Sequence, residues 1–499
     1  MKHKSSKRHI IMMVSLAALV AMATGPAASG NDAILDLLVK KGLITQREAN
    51  DIREQADVEM AKSVEVANKV KVPSFLTSLE WAGDLRLRAE YFSFENDHYG
   101  KNAPPADLKD LDERLRWRYR ARVGVKATLQ DWAQVGFRAS STGDNGDVVS
   151  TNQTLTDDFS RKEFRIDLAY VTLTPPFADW FSLTGGKMNN PIWQPQFLSP
   201  MVYDFDVTPE GVAGQINYTF GDKQQYRAFA NVGAFPLNEV SGDVHDIYMY
   251  DFQIGAEAKV GPVKATLSGG YYTTRHLGDL GINYSANTAS PKSSSPNKGN
   301  SADVTKTAAK TIKVKDVDGK TQTITTTAAS EKAYYVDDFG VWYARGDIAW
   351  TIREKPLWGT PCVLTFSGEY LKNGSKDYAE DVTTTGNTNT LSQCTGYTFQ
   401  AMFGGNKKQG EWSVGYQYKV LEANATWDAI TDSDWGSGGT DRRGHVVAFT
   451  YNIREWWQLA FKTFVTTKIS DTPNATVNAV RGWKGEDMLR VQVDTSFKF

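Results

Sequence analysis

The C-terminal segment of this chain constrains its fold more than any other stretch. The last eleven residues read LRVQVDTSFKF, in which large apolar side chains alternate with polar or charged ones. Successive side chains of a β-strand point to opposite faces, so the segment is predicted to be a strand with one apolar and one wet face. The apolar face holds Leu489, Val491, Val493, Thr495, Phe497 and Phe499, and the wet face holds Arg490, Gln492, Asp494, Ser496 and Lys498.

Similar alternation recurs from residue 80 to the C-terminus, in sixteen segments joined by alternately short and long connections. Seven connections are short and eight are longer, which is typical of a membrane barrel with short turns on one side and long loops on the other. We therefore predict an all-β fold, a transmembrane antiparallel β-barrel of about sixteen strands over residues 80–499. The predicted strands are 80–94, 112–129, 132–142, 163–174, 179–189, 210–220, 223–234, 247–260, 263–274, 335–352, 359–373, 395–405, 410–421, 442–453, 456–469 and 487–499.

The N-terminal region predicts export followed by a helical leader. Basic residues between Lys2 and Arg8 precede a short apolar run and then small residues, which predicts a signal peptide over residues 1–29. Later segments lack the roughly 18 consecutive apolar residues of a membrane helix. Residues 30–72 are predicted to be a periplasmic helical segment, either a short coiled coil or a spacer, with a capping box at Thr45–Glu48.

Composition limits the classes of function. The 56 basic and 58 acidic residues are nearly balanced, so the charge gives no argument for nucleic acid. The few histidines have no metal or catalytic spacing, and GGK at 185–187 lacks the rest of a phosphate loop. We predict no enzyme activity, no metal and no cofactor. Cys362 and Cys394 are expected to be free thiols.

An arginine column is the strongest candidate for a lumen feature. Every second residue from 114 to 122 in the second strand is arginine. Each would cost about 2–4 kcal/mol if it faced lipid at the midplane, so the column is predicted to face water. In the alternative interpretation these arginines pair with inward acids such as Asp84 and Glu90 and fill the wall. The predicted pore-lining arginines are Arg86, Arg88, Arg114, Arg116, Arg118, Arg120, Arg122, Arg138 and Arg165.

The third long connection, 190–209, is unusually apolar for an external loop. It carries Ile192, Trp193, Phe197 and Phe205, and its acidic residues are Asp204 and Asp206, with Glu210 next. We predict that it folds into the barrel and sets acidic groups opposite the arginine column, as a constriction that sorts solutes by charge. The alternative is a loop that only caps the mouth. Loop 275–334 is predicted to be external, with a hairpin turned at Asp318–Gly319.

Aromatic residues cluster near the short turns. Such rings prefer the membrane–water boundary, so they are predicted to form a girdle there. Phe499 is predicted to lie at the periplasmic rim beside Trp81 of the first strand. The predicted girdle residues are Trp132, Trp180, Trp358, Trp412, Trp456, Trp457 and Phe499.

Four motifs carry a resemblance to a known family: LLVKKGLITQREAN, RLRWRYRARVGVKATL, LTGGKMNNPIW and DFDVTPEGVAGQ. With them, the chain resembles the trimeric porins of Gram-negative bacteria and, more closely, the outer-membrane proteins described as putative porins. The resemblance covers essentially the whole mature chain. It implies a passive channel for small hydrophilic solutes or ions, a location among outer-membrane lipids and a homotrimer. A structural or adhesin role through the external loops is the alternative.

Overall fold

The computed structural model describes most of the chain from residue 73 onward. The predicted signal peptide (1–29) and helical leader (30–72) lie outside the described residues. Within the described part, no helix has the length and apolarity needed to span a bilayer. The described residues are 73–95, 113–142, 147–239, 246–279, 281–282, 300, 302–307, 310–315, 321–327, 330–335, 337–376, 382–384, 387–389, 392–436, 438–469 and 487–499.

The chain divides into two compact units, residues 1–79 with 127–131 and residues 80–126 with 132–499. In the described part of the first unit, the Gln130 amide donates a 2.9 Å hydrogen bond to the Phe75 carbonyl. The second unit contains the closed barrel wall and the loops discussed below. The predicted class, a sixteen-strand antiparallel barrel, is confirmed.

Sixteen strands form the barrel, and their bounds lie within a few residues of the predicted ones. They are β1 (Leu76–Glu95), β2 (Glu113–Leu129), β3 (Ala133–Ser141), β4 (Phe164–Leu173), β5 (Phe181–Lys187), β6 (Glu210–Phe220), β7 (Tyr226–Asn238), β8 (Ile247–Val260), β9 (Val263–Arg275), β10 (Gly340–Leu357), β11 (Thr360–Asn373), β12 (Thr395–Gly404), β13 (Trp412–Leu421), β14 (Arg442–Arg454), β15 (Trp457–Lys468) and β16 (Asp487–Lys498).

The first and last strands pair and close the wall. Their antiparallel register sets Asp84 opposite Lys498 and Glu90 opposite Gln492. Phe499 exchanges backbone hydrogen bonds with Gly83, so the prediction that it lies beside Trp81 is wrong by two residues. The register of the closing strands sets this position, and the space at Gly83 permits it. A Cβ at position 83 would lie 2.5 Å from the Phe499 ring, and the glycine leaves that space free.

The two faces of the wall differ in polarity, as strand alternation requires. Apolar side chains such as Leu87, Val232, Leu267 and Trp342 are exposed on the outside. A membrane barrel presents such a band to lipid. Of the predicted girdle residues, Trp132, Trp180, Trp358, Trp456 and Phe499 are exposed, whereas Trp412 and Trp457 are half-buried and donate their indole N–H groups to the Trp358 carbonyl and the Thr495 hydroxyl.

Shorter strands lie outside the regular wall. Gln153–Thr154 pairs with Tyr119 and Arg118 of β2, which places the segment 147–154 against that strand. The predicted hairpin in the long loop is present as Lys310–Lys315 paired with Thr321–Thr327. Cys362 and Cys394 are both buried, and within the described part of the chain no disulfide joins them.

Candidate pore constriction

Glu90 is the centre of one group of charges on the inner wall. Its carboxylate accepts hydrogen bonds from Arg490 at 2.6 Å and Arg116 at 2.7 Å, and it lies 3.5 Å from Arg88. Arg88 also forms a bidentate salt bridge with Asp494, in which both N–O distances are 2.7 Å. This Glu90 cluster is almost closed to water, since Glu90 is 0% exposed and Arg490 2%. Its members are Arg88, Glu90, Arg116, Asp434, Arg490 and Asp494.

A second group of charges lies nearer the short-turn end of the same two strands. Asp84 accepts from Arg120 at 2.9 Å and from Arg122 at 2.7 Å. Asp206, from loop 190–209, lies 3.5 Å from Arg120 and 3.6 Å from Arg122. Asp84, Arg120, Arg122 and Asp206 form this Asp84 cluster, which joins the wall and the loop in direct contact.

The remaining predicted arginines are distributed differently. Arg138 binds Asp167 at 2.6 Å on the neighbouring strand, and Arg114 is exposed. Arg165 is exposed and binds Glu163 at 2.7 Å. Among the described residues, Arg86 and Arg118 donate to segment 147–154, and neither forms an ion pair with a carboxylate.

A cavity of about 820 Å³ adjoins the Asp84 cluster. It is bounded by strands β3 to β8, by loop 190–209 and by residues 427–430. The structure brings Arg165, Asp206 and Glu210 to its lining. Glu210 pairs with Lys187 at 2.8 Å, and none of the ion pairs among the described residues joins it to the arginine column. Asp204 does not line the cavity.

Loop 190–209 packs against inward-facing glutamines on several strands. The Trp193 amide donates to Gln253 at 2.9 Å, the Leu198 amide to Gln400 at 2.6 Å and the Ser199 amide to Gln417 at 2.7 Å. Ile192, Phe197, Met201 and Val202 are buried, and Phe205 is exposed. The loop therefore reaches from β5 to β8, β12 and β13 along the inner wall.

The connection between β13 and β14, residues 422–441, was not predicted to enter the barrel, and its contacts show that it packs on the same wall. Asp434 accepts from Arg88 at 2.9 Å and from Arg490 at 2.7 Å. Trp435 is 0% exposed, with the Lys419 ammonium 4.5 Å from its ring. The sequence does contain a pattern that could have indicated this inward packing. Trp427 and Trp435 flank three aspartates, much as aromatic residues accompany Asp204 and Asp206 in loop 190–209.

The two loops also bind each other. The Ser433 amide donates to the Asp204 carboxylate at 2.9 Å, and the Asp204 amide donates to the Ile430 carbonyl at 2.8 Å. The Ser199 hydroxyl donates to Asp432. Loops 190–209 and 422–441 therefore bind each other as well as the inner wall.

The loop carboxylates differ in acidity. Burial, together with the negative charges of Asp432 and Asp206, raises the pKa of Asp204 well above its ordinary value. Burial would also raise the pKa of Asp206, but Arg120, Arg86 and Arg122 more than offset it and lower that pKa. In the same way Arg88 and Arg490 outweigh burial and hold the pKa of Asp434 well below its ordinary value. Of these three loop carboxylates, Asp206 and Asp434 are therefore the ones whose charged form the wall arginines favour.

Comparison with solved structures finds bacterial porins of similar fold at low sequence identity. OprB of Pseudomonas putida is 11% identical over 84% of this chain and 94% of its own, with a TM-score of 0.44. OmpF of Salmonella typhi, solved with daunomycin, is 7% identical over 84% and 97%, with a TM-score of 0.44. A mutant of the Rh. blastica porin is 9% identical over 85% and 100%, with a TM-score of 0.38.

A family model gives the more decisive match. No curated protein sequence matches the chain. The model described as "Putative porin" matches residues 58–480, which include fifteen complete strands of the barrel. The chain therefore belongs to the "Putative porin" family, as a β-barrel of the Gram-negative outer membrane.

Proposed function

We propose that this outer-membrane porin conducts small hydrophilic solutes or ions by passive diffusion, past a constriction made by the arginine column and loop 190–209. The observation that carries the proposal is the contact of Asp206 with Arg120 and Arg122 at the edge of the 820 Å³ cavity. A loop carboxylate set against wall guanidinium groups gives a local field that distinguishes ions by charge.

Within this proposal the arginines divide into two roles. Arg88, which is buried, and Arg116, which is half-buried, belong to the Glu90 cluster, where they fix loop 422–441 and the closing strand to the wall. Arg120 and Arg122, with Asp206, are the groups that a permeating ion meets. The channel is proposed to work as a homotrimer, which the resemblance to trimeric porins supports.

Removing the Asp206 charge is expected to make the channel more anion-preferring. Asp206→Asn leaves the Asp84 cluster with one uncompensated positive charge. One charge about 7 Å from an ion in water changes the energy of that ion by about 0.6 kcal/mol, close to RT, and with opposite sign for an anion and a cation. The anion-to-cation permeability ratio should therefore rise about 7-fold. The measurement is the reversal potential of single channels under a potassium chloride gradient.

Asp222→Asn is the matched control, because Asp222 lies exposed in the short turn after β6. It should leave the reversal potential at the wild-type value. A reversal potential that Asp206→Asn also leaves unchanged would remove Asp206 from the constriction.

A further inference from the structure

Within the part of the chain that the structure describes, two arginines of the column form no ion pair with a carboxylate. The Glu90 cluster contains three arginines and three carboxylates, and the Asp84 cluster contains two of each. On the strands, Arg86 lies between Asp84 and Arg88, and Arg118 lies between Arg116 and Arg120. Each cluster is therefore balanced by itself, and Arg86 and Arg118 add two positive charges that the same five carboxylates must share. Asp206, for example, interacts with the charge of Arg86 as well as with Arg120 and Arg122.

The acceptors that the described residues offer to these two guanidinium groups are neutral. Arg86 donates to the Asn152 side-chain oxygen at 2.6 Å. Arg118 donates to the Asn152 carbonyl at 2.8 Å and to the Ser150 hydroxyl at 3.3 Å. The Nε atom of each arginine is buried and has no hydrogen-bond partner among the described residues. Arg118 is 9% exposed and Arg86 is half-buried.

A buried cation without a counter-charge is costly, because the lost hydration is not repaid by attraction to a neighbour. Buried charges in proteins are accordingly paired. The segment that covers these arginines lies at the edge of the proposed passage, since Thr151 and Asp206 both line the 820 Å³ cavity and bind each other at 3.0 Å. Thr151, the residue next to Asn152, thus faces the cavity, and we expect a counter-ion from solution to reach the two arginines from that side.

We infer that Arg86 and Arg118 form a binding site for a small oxyanion inside the channel. A guanidinium group presents donors in a rigid planar fork that matches the oxygens of phosphate, sulfate or a carboxylate, and this favours an oxyanion over chloride. The bound oxyanion accepts from the Nε donors that lack a protein acceptor. The site rests on the proposed function and gives it a solute class, because an ion held there slows the passage of chloride.

Asn152→Asp tests the site by supplying the missing carboxylate from the protein. In planar bilayers holding the full-length protein in potassium chloride, inorganic phosphate should reduce the wild-type chloride current progressively. In Asn152→Asp the new carboxylate supplies, beside Arg86, the negative charge that the anion would otherwise bring, so the phosphate effect should be lost. Asn217→Asp is the matched control, because Asn217 binds Arg227 at 3.1 Å and that arginine already has Glu257 at 3.0 Å. It should keep the wild-type response.

A wild-type current that phosphate does not change, or an equal block in Asn152→Asp, would overturn the inference. If the folded protein carries no current, the proposed function fails and the site is tested separately by thermal unfolding. At constant ionic strength, replacing chloride by phosphate should raise the unfolding temperature of wild type and of Asn217→Asp, and leave Asn152→Asp unchanged. Equal shifts in all three proteins, or none, would overturn the site.

Discussion

Glu90→Gln is expected to lower the free energy of unfolding by about 3–5 kcal/mol, the usual cost of removing one partner from a buried ion pair. Glu90 is 0% exposed and accepts from Arg490 and Arg116 while it faces Arg88. The glutamine amide would also point N–H donors at guanidinium donors. Three arginines would then share only the two carboxylates of Asp434 and Asp494. The measurement is denaturant unfolding of the folded barrel in lipid vesicles.

Glu210→Gln is the control for this substitution. Its side chain is 64% exposed and pairs with Lys187 alone, so the loss should be about 0–1 kcal/mol. A Glu90→Gln barrel that unfolds within about 1 kcal/mol of wild type, the scale of an exposed pair, would show that the Glu90 cluster does not hold the wall and loop together.

Asp434→Asn is expected to destabilise the protein by about 1.5–3 kcal/mol at neutral pH, the value of hydrogen bonds to a charged group. Because the pKa of Asp434 is held well below its ordinary value of 3.8, the stability from its charge is fully present above that pH. It is lost as the pH falls through the lowered pKa. The difference between wild type and Asp434→Asn should therefore be constant from neutral pH down to about 4 and narrow at more acid pH.

Unfolding measured over that pH range distinguishes the stability that comes from the charge of Asp434 from the stability that comes from its packing. Asp222→Asn, at an exposed turn residue, should track wild type throughout. A difference between wild type and Asp434→Asn that stays constant into strong acid would mean that the carboxylate stabilises loop 422–441 by packing alone.

The barrel could be predicted from the sequence because its signals are local. Alternation fixes which residues share a face, and the alternating lengths of the connections fix strand order. The inward set from Arg114 to Arg122 follows from counting along one strand. The pairing of Phe499 with Gly83 could not be counted in this way, because the register of β16 on β1 depends on closure around the whole wall.

The charge partners were harder to predict because they are distant in sequence. Glu90 meets Arg490 across 400 positions, and Asp434 meets Arg88 across 346. Loop 190–209 was identified by its apolar residues, and the same criterion applied to Trp427 and Trp435 identifies loop 422–441. All of these ion pairs must be known before the arginines that form none of them can be recognised. Arg86 and Arg118 are therefore identified only once the fold is known.

Single-channel recording of the unmodified protein tests the central claim most directly. Folded protein whose unboiled form migrates differently from its boiled form on a gel would be inserted into a planar bilayer in potassium chloride. We expect stepwise conductance, with closures in three equal steps for each inserted complex, as a trimer of independent channels requires. Folded protein that inserts and gives no conductance would contradict the account.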